Sequence, residues 1–215
     1  MTEPDVTLTD YGLAIECALF AYLVYVKGGQ HNRCRTWFVI FFGATGVASL
    51  LGGTVHGFFL DANTTGSAIL WPASLIAIGG AAMAAWAIAA TILCARPVAN
   101  WIAIAAGGEF VVYSFVILFV TDNFVFAIIN YLPPAVALLF GLIVLWWRTR
   151  KPQPAIGAVG MGLTFVASWV QQQGFALHPI YFNHNALYHL IGAVALFLIF
   201  LAARRLAVTS TTEGG

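Results

Sequence analysis

The chain has 215 residues, of which 61% are hydrophobic and 8% are charged, and its formal net charge is +1. A soluble domain carries about 25% charged residues. This chain therefore has too little polar surface to cover a water-exposed globule, which predicts that lipid is its main solvent. The near-neutral charge, without a basic tract, excludes a nucleic-acid partner. The three cysteines, Cys17, Cys34 and Cys94, predict no disulfide framework.

Seven apolar segments follow one another along the chain, and each is close to the roughly 20 residues that a helix needs to cross a bilayer. They cover residues 11–27, 36–60, 67–94, 99–121, 123–147, 155–173 and 185–206. No Lys or Arg precedes the first segment, as it would in a cleaved signal peptide, so we expect this segment to be retained. The sequence therefore predicts an all-α fold, a seven-helix transmembrane bundle formed by residues 11–206.

The basic residues indicate the orientation, because they collect on the cytoplasmic side of membrane proteins. All nine follow odd-numbered spans: Lys27, Arg33, Arg35, Arg96, Arg148, Arg150, Lys151, Arg204 and Arg205. The connections after even-numbered spans contain no Lys or Arg. We therefore predict an outer N-terminal tail of residues 1–10 and a cytoplasmic C-terminal tail of residues 207–215. The predicted surroundings are the lipids of a membrane, most simply a bacterial plasma membrane.

Ionisable side chains inside the spans are costly in lipid and usually functional. At a helical rise of about 1.5 Å per residue, Glu16, His56 and His189 lie roughly 6–8 Å below the outer ends of spans 1, 2 and 7. Ser49 shares a helix face with His56 two turns deeper, and Thr54 lies in the same outer half. Three ionisable groups at one level, with hydroxyl groups nearby, predict a polar pocket that opens outward.

A further carboxylate, Glu109, lies near the middle of the bilayer beside Gly107 and Gly108. Glycines let another helix approach closely. One interpretation is therefore a protonated glutamate that is hydrogen-bonded to a neighbouring helix. The alternative is a group that relays protons or contacts a substrate, and the sequence leaves both interpretations open.

Three histidines could form a metal site. A catalytic zinc takes three protein ligands, often histidines, and leaves one position for water. His56, His184 and His189 could supply three nitrogens. Residues four apart share a helix face, which pairs His189 with Asn185 rather than with His184. His184 could point towards His56 and His189 only if it lies before the first full turn of the helix, and Asn183 is a good N-cap candidate there. Either His184 or Asn185 could therefore complete the site.

The positions that carry this pattern are Ser49 or Thr54, His56, Asp61 and the string Phe182-Asn183-His184-Asn185-Ala186-Leu187-Tyr188-His189. In this layout the chain resembles the seven-helix hydrolase superfamily that includes alkaline ceramidases, progestin/adiponectin receptors and Per1-like proteins. The resemblance implies a bound zinc and cleavage of the amide bond of a ceramide-like lipid. The same string, together with residues 52–57, looks closer to an uncharacterised family of small polytopic membrane proteins.

The leading hypothesis is a metal-dependent membrane hydrolase that acts on the amide or ester bond of a lipid or another amphiphile. The zinc ligands would be His56, His189 and either His184 or Asp61, and the metal would hold a hydroxide. The catalytic candidates are Glu16, Ser49, Thr54 and Asp61. Ser49 or Thr54 would stabilise the oxyanion, and Glu16 would act as general base or orient a histidine.

The alternative hypothesis is a non-enzymatic protein, either a sensor of a small ligand or a proton-linked carrier. The same pocket would bind the ligand, and Glu16 or Glu109 would exchange protons. A structural or assembly role, with polar groups that fix helix packing, is a third hypothesis. The substrate, the metal and the homo-oligomeric state are left open by the sequence.

Overall fold

The computed structural model describes residues 1–29, 32–178 and 181–208. Within these ranges the chain forms seven α-helices, each long and apolar enough to cross a membrane. They are α1 (Pro4–Lys27), α2 (Arg33–Phe58), α3 (Thr65–Leu93), α4 (Arg96–Phe119), α5 (Phe124–Thr149), α6 (Pro152–Gln172) and α7 (His184–Leu206). The predicted all-α bundle of seven membrane-spanning helices is confirmed. Residues 209–215 of the predicted C-terminal tail lie outside the described residues.

Local sequence signals start each helix. Four helices, α2, α3, α5 and α7, begin after a residue whose side chain accepts a backbone N–H of the first turn: Asn32, Thr64, Asn123 and Asn183. The other three carry a proline at the first or second position, where its missing N–H costs nothing and its φ angle suits a helix. Residues 4–10 thus continue the first helix, although the sequence placed them in an outer tail.

Six helices close into a ring, and α4 lies outside it. Around the ring, α1 packs on α2, α2 on α3, α3 on α5, α5 on α6, α6 on α7, and α7 returns to α1. α4 packs mainly on α3. Only 17% of its apolar stretch is buried within the described chain, compared with 61% for α3. Spans 1, 2 and 7, from which the predicted pocket residues come, are therefore neighbours in the ring.

The two ends of the bundle differ in charge. The helices alternate in direction, so the first residues of α1, α3, α5 and α7 lie at one end, which we call the acidic end. It carries Glu3, Asp5, Asp10, Asp61 and Asp122. The opposite, basic end carries all nine Lys and Arg residues. This asymmetry underlies the predicted orientation, in which the acidic end faces outward.

Aromatic packing closes the ring towards the basic end. Phe20 of α1 stacks on Phe200 of α7 with ring centroids 4.2 Å apart and meets Phe42 of α2 edge-on at 5.6 Å. All three side chains are buried. Offset and edge-on aromatic pairs add about 0.5–1.5 kcal/mol beyond their buried area, so this cluster fixes α1 between α2 and α7.

At the acidic end, glycines bring α1 and α2 together. A Cβ at Gly53 would lie 2.7 Å from the Cβ of Asp10, and a Cβ at Gly57 would lie 2.9 Å from Oγ1 of Thr7. Real Cβ atoms essentially never come this close, so these two positions of α2 accept only glycine without movement of α1. The close approach of α1 to α2 buries the side chain of Asp10 between the helices of the ring.

Candidate functional site

The ring encloses a cavity of about 450 Å³, which we call the bundle cavity. Its walls come from α1, α2, α3, α5, α6 and α7. A cavity of about 300–1,000 Å³ between the helices of a bundle is typical of small-molecule sites. A space of this size therefore lies between the spans from which the predicted pocket residues come.

The lining of the bundle cavity changes from polar to apolar along its length. Towards the acidic end it is lined by Asp10, His56, Ser74, Gln171, Asn185 and His189. Deeper in the bundle the lining is mainly apolar and comes from Phe41, Ala81, Ala135 and Leu196, with the hydroxyl of Thr45 as a polar exception. The space therefore has a polar head region and an apolar tail region.

The first of two carboxylate–imidazole pairs joins the start of α1 to the end of α2. Nδ1 of His56 lies 2.6 Å from Oε2 of Glu3. The backbone N–H of Glu3 also donates to the carbonyl of His56 at 3.3 Å, so the two residues are tied twice. Nε2 of His56 makes no hydrogen bond to any described residue, and the ring lines the cavity. A carboxylate on one nitrogen fixes the ring orientation and leaves the other nitrogen for a ligand or a proton.

The second pair lies deeper and joins α1 to α7. Nε2 of His189 lies 3.3 Å from Oδ1 of Asp10, and its Nδ1 lies 3.0 Å from Oγ1 of Thr9. Both members of the pair are buried, Asp10 with 5% and His189 with 9% of its surface exposed. Both ring nitrogens are thus engaged, whereas Oδ2 of Asp10 makes no hydrogen bond to a described residue. A buried carboxylate needs such a partner, because burying an unpaired charge is very costly.

α1 supplies the acid of both pairs. Glu3 and Asp10 are seven residues apart, close to two full turns, so they lie on the same face of the helix. Asp5 follows Glu3 by two residues, and its Oδ2 accepts the backbone N–H of Asn183 at 2.9 Å. The first turns of α1 therefore brace both α2 and α7 and position their histidines towards the cavity.

Three of the predicted site residues meet in the cavity. His56, His189 and Ser49 all line it. At the start of α7, the side chain of Asn183 accepts the N–H groups of Asn185 and Ala186, and the helix begins at His184. Asn185 lines the cavity and accepts from Nε2 of Gln171 at 3.0 Å, whereas His184 is outside the lining.

The other catalytic candidates lie elsewhere. Glu16 is half-exposed on α1 and does not line the bundle cavity. Thr54 faces α1, where its hydroxyl lies 3.1 Å from the hydroxyl of Tyr11 and donates to the carbonyl of Leu50. Asp61 is exposed in the loop between α2 and α3, where it accepts from the backbone N–H of Asn63 at 2.9 Å and so organises the turn.

The predicted zinc site was compared with the donor groups in the structure. Among the described residues, no three His, Cys, Asp or Glu side chains lie close enough together to hold a metal ion. His189 uses both ring nitrogens within the chain, and His184 is outside the cavity. The donor set around His56 and His189 does not fit a three-ligand zinc, so no chemical step is assigned to a metal, and zinc stays a prediction.

The surroundings of Glu109 differ from one of its two interpretations, a glutamate bonded to a helix that packs on Gly107 and Gly108. Glu109 is exposed on α4, and nothing lies within 4 Å of a Cβ at Gly107 or Gly108. No described helix therefore approaches through these glycines. The reason is the position of α4 outside the ring, which a hydropathy pattern does not reveal.

The sequence interpretation missed Glu3, Asp10 and Thr9, because it assigned residues 1–10 to a tail. Two signals could have found them. Pro4 and Asp5 are typical of a first helical turn. The spacing from Glu3 to Asp10 then places both carboxylates on one face, along which Leu13 and Cys17 continue as buried residues.

The chain was also compared with known proteins. Residues 6–208 match the model of a family of unknown function, DUF6962. No curated protein and no solved structure matches the chain. The matched range covers all seven helices apart from the first two residues of α1. The chain therefore belongs to the family of unknown function DUF6962.

Proposed function

We propose that the protein binds an amphiphilic small molecule in the bundle cavity. The head group would lie between the two carboxylate–imidazole pairs, and the apolar part would extend towards Phe41 and Leu196. The observation that carries this proposal is the change of lining, from an end that holds the ionisable and amide side chains to a mainly apolar end that holds none of them.

The position of the ionisable groups supports binding rather than a purely structural role. Polar side chains that only fix helix packing satisfy one another between helices. Here the lining keeps two unengaged atoms, Nε2 of His56 and Oδ2 of Asp10, among the described residues. Ionisable groups inside membrane spans commonly mark ligand or proton pathways. A sensor or a carrier of an amphiphile accounts for these features without further chemistry.

A hydrolase of amphiphilic esters or amides is a second candidate, favoured by the Glu3–His56 pair. With Nδ1 held by the carboxylate, Nε2 could take a proton from a water molecule as that water attacks the substrate carbonyl. The same nitrogen would then return the proton to the leaving alcohol or amine as the carbonyl–heteroatom bond breaks. Ser49, which lines the cavity, could donate its hydroxyl hydrogen to the oxyanion.

Filling the cavity tests the binding proposal. Gly192 lines the bundle cavity, and a Cβ there meets nothing within 4 Å. Gly192→Leu should therefore occupy ligand space without displacing a helix. Gly162→Leu is the matched control, because Gly162 on α6 has equally open surroundings but lies outside the lining.

The measurement is native mass spectrometry of the protein released from neutral-lipid nanodiscs after incubation with dodecan-1-ol, dodecanoate or dodecylamine. The unmodified protein and Gly162→Leu should retain one molecule of at least one of these probes, and Gly192→Leu should retain at least tenfold less. Retention of every probe to the same extent by Gly192→Leu would overturn the cavity as the binding site.

Turnover of 4-nitrophenyl dodecanoate tests the hydrolase candidate. His56→Gln and Glu3→Gln should each lower kcat by at least tenfold, because one removes the base and the other its orientation. Glu16→Gln is the control and should retain full activity, since Glu16 does not line the cavity. Release of nitrophenol at equal rates by all three variants and the unmodified protein would exclude His56 as the base.

A further inference from the structure

The charged side chains in and near the bundle cavity indicate which charge its ligand carries. Of the residues that line it, Asp10 is the only carboxylate and none is Lys or Arg. All nine Lys and Arg residues lie at the basic end, away from the polar part of the cavity. A second carboxylate, Glu3, contacts His56 at the same end. The head region is therefore acidic, apart from its two imidazoles.

Asp10 has capacity for another partner. The side chain is buried, with 5% of the residue exposed, and only Oδ1 is engaged, by His189. Oδ2 is left towards Gly52, where a Cβ would lie 3.8 Å from it, and Gly52 itself lines the cavity. A cationic group within about 4–6 Å favours the ionised form of a carboxylate, and an ionised carboxylate oxygen only accepts hydrogen bonds, so a cationic donor would complete this site.

Aromatic rings surround the same head region. Trp71, Phe124, Tyr131 and Tyr188 all line the cavity. Trp71 packs against Phe124 with centroids 6.1 Å apart and meets His56 edge-on at 6.5 Å. Aromatic faces attract cations, most strongly when the cation is desolvated, and recognise ammonium groups in this way.

We infer that the head group taken by the bundle cavity is an amine in its ammonium form, carried by an aliphatic chain. This inference rests on the proposed binding function and narrows its ligand class. The ammonium group donates to Oδ2 of Asp10 and lies against the ring of Trp71. An anionic head would meet Asp10 and Glu3 with like charge and no cationic side chain except a protonated histidine, which disfavours it.

The test compares four probes with the same chain and different heads: dodecylamine, dodecyltrimethylammonium, dodecan-1-ol and dodecanoate. Competition in neutral-lipid nanodiscs, read by native mass spectrometry, should give at least tenfold tighter binding of dodecylamine than of the alcohol and the carboxylate. Dodecyltrimethylammonium should bind between these limits, because it keeps the charge and loses the hydrogen bonds.

Two variants locate the preference. Asp10→Asn should reduce the preference for dodecylamine over dodecan-1-ol by at least fivefold. If Asp10→Asn fails to fold, Trp71→Leu provides the same test, with Trp101→Leu as control because Trp101 is 71% exposed on α4. Trp71→Leu should lower the preference of the site for both ammonium probes over dodecan-1-ol by at least threefold.

The outcomes separate the two proposals. Equal binding of all four probes, or tighter binding of dodecanoate, overturns the ammonium head group and leaves the amphiphile site intact. Binding of none of the probes overturns the proposed binding function together with this inference. A tenfold preference that survives both Asp10→Asn and Trp71→Leu overturns the assigned location of the head group.

Discussion

The two carboxylate–imidazole pairs share one chemistry at two depths. In the outer pair, Glu3 and His56 are 2.6 Å apart, and their side chains are 29% and 22% exposed. In the inner pair, Asp10 and His189 are 3.3 Å apart, and their side chains are 7% and 11% exposed. The outer imidazole keeps one nitrogen unengaged among the described residues, whereas the inner one uses both.

The difference in exposure gives the two pairs different effects on the stability of the protein. A partly exposed ion pair contributes about 0–1 kcal/mol, because water competes for both charges. Removing one member of a buried polar pair costs about 1–3 kcal/mol, since it leaves the other member without a hydrogen-bond partner. The outer imidazole is thus free to exchange protons, whereas the inner pair holds α1 against α7 through Oδ1 of Asp10 and leaves Oδ2 towards the cavity.

The largest effect is expected for the inner pair. His189→Ala removes the described partner of Asp10 and one of the three partners of the Thr9 hydroxyl. It should lower the free energy of unfolding by about 3 kcal/mol, because the loss of these contacts adds to the cavity that the ring leaves. Unfolding in mixed detergent micelles measures this loss. His184→Ala is the control on the same helix and should change the value by less than about 0.5 kcal/mol. Equal losses for the two variants would contradict the assigned stabilising role of the inner pair.

The approach of α1 to α2 comes next. Gly53→Ala brings a Cβ to within 2.7 Å of Asp10 and should destabilise the protein by about 1–3 kcal/mol through overpacking. Gly43→Ala on the same helix meets nothing within 4 Å and should stabilise by up to about 1 kcal/mol through its higher helix propensity. The same unfolding assay would contradict the close packing if both variants gained stability.

The outer pair should respond more weakly. Glu3→Gln keeps the size of the side chain, removes its charge and should lower the free energy of unfolding by less than about 1 kcal/mol. Raising the salt concentration should shrink the difference from the unmodified protein, because a partly exposed ion pair is screened. A loss as large as that of His189→Ala would mean that the two pairs do not differ in the way their exposure indicates.

The smallest effect is expected at Glu16. Glu16→Gln should change the free energy of unfolding by no more than about 0.5 kcal/mol and leave binding of the dodecyl probes unchanged. The reason is that the residue is half-exposed and does not line the bundle cavity. Loss of probe binding in this variant would extend the site beyond the two pairs.

The seven helices were predictable because each must cross the bilayer as one apolar segment of limited length. Apolar segments of spanning length predict the helices, and caps and prolines such as Asn183 and Pro152 mark their starts. The arrangement of the helices was not predictable in the same way. That α4 lies outside the ring depends on which helix faces fit together, so Glu109 could be assigned a depth but not a neighbour.

The same distinction explains the site. Depth along a helix follows from residue counting, which directed attention to His56 and His189, and both line the bundle cavity, His189 more deeply buried than His56. Direction around the helix depends on neighbouring helices. Glu16 and Asp10 are six residues apart, about 240° around a helix, so only one of them can face the cavity. Asp10 was missed because acidic residues lower hydropathy, which made the start of α1 read as a tail.

The first residues of the chain also have a practical consequence. The backbone N–H of Thr2 donates to the carbonyl of Gly57 at 3.1 Å, and the next residue supplies the acid that orients His56. An affinity tag or reporter protein fused ahead of Met1 would sit beside the imidazole that closes the head region. Such a fusion should be removed before ligand binding is measured, because it would hinder access to the head region.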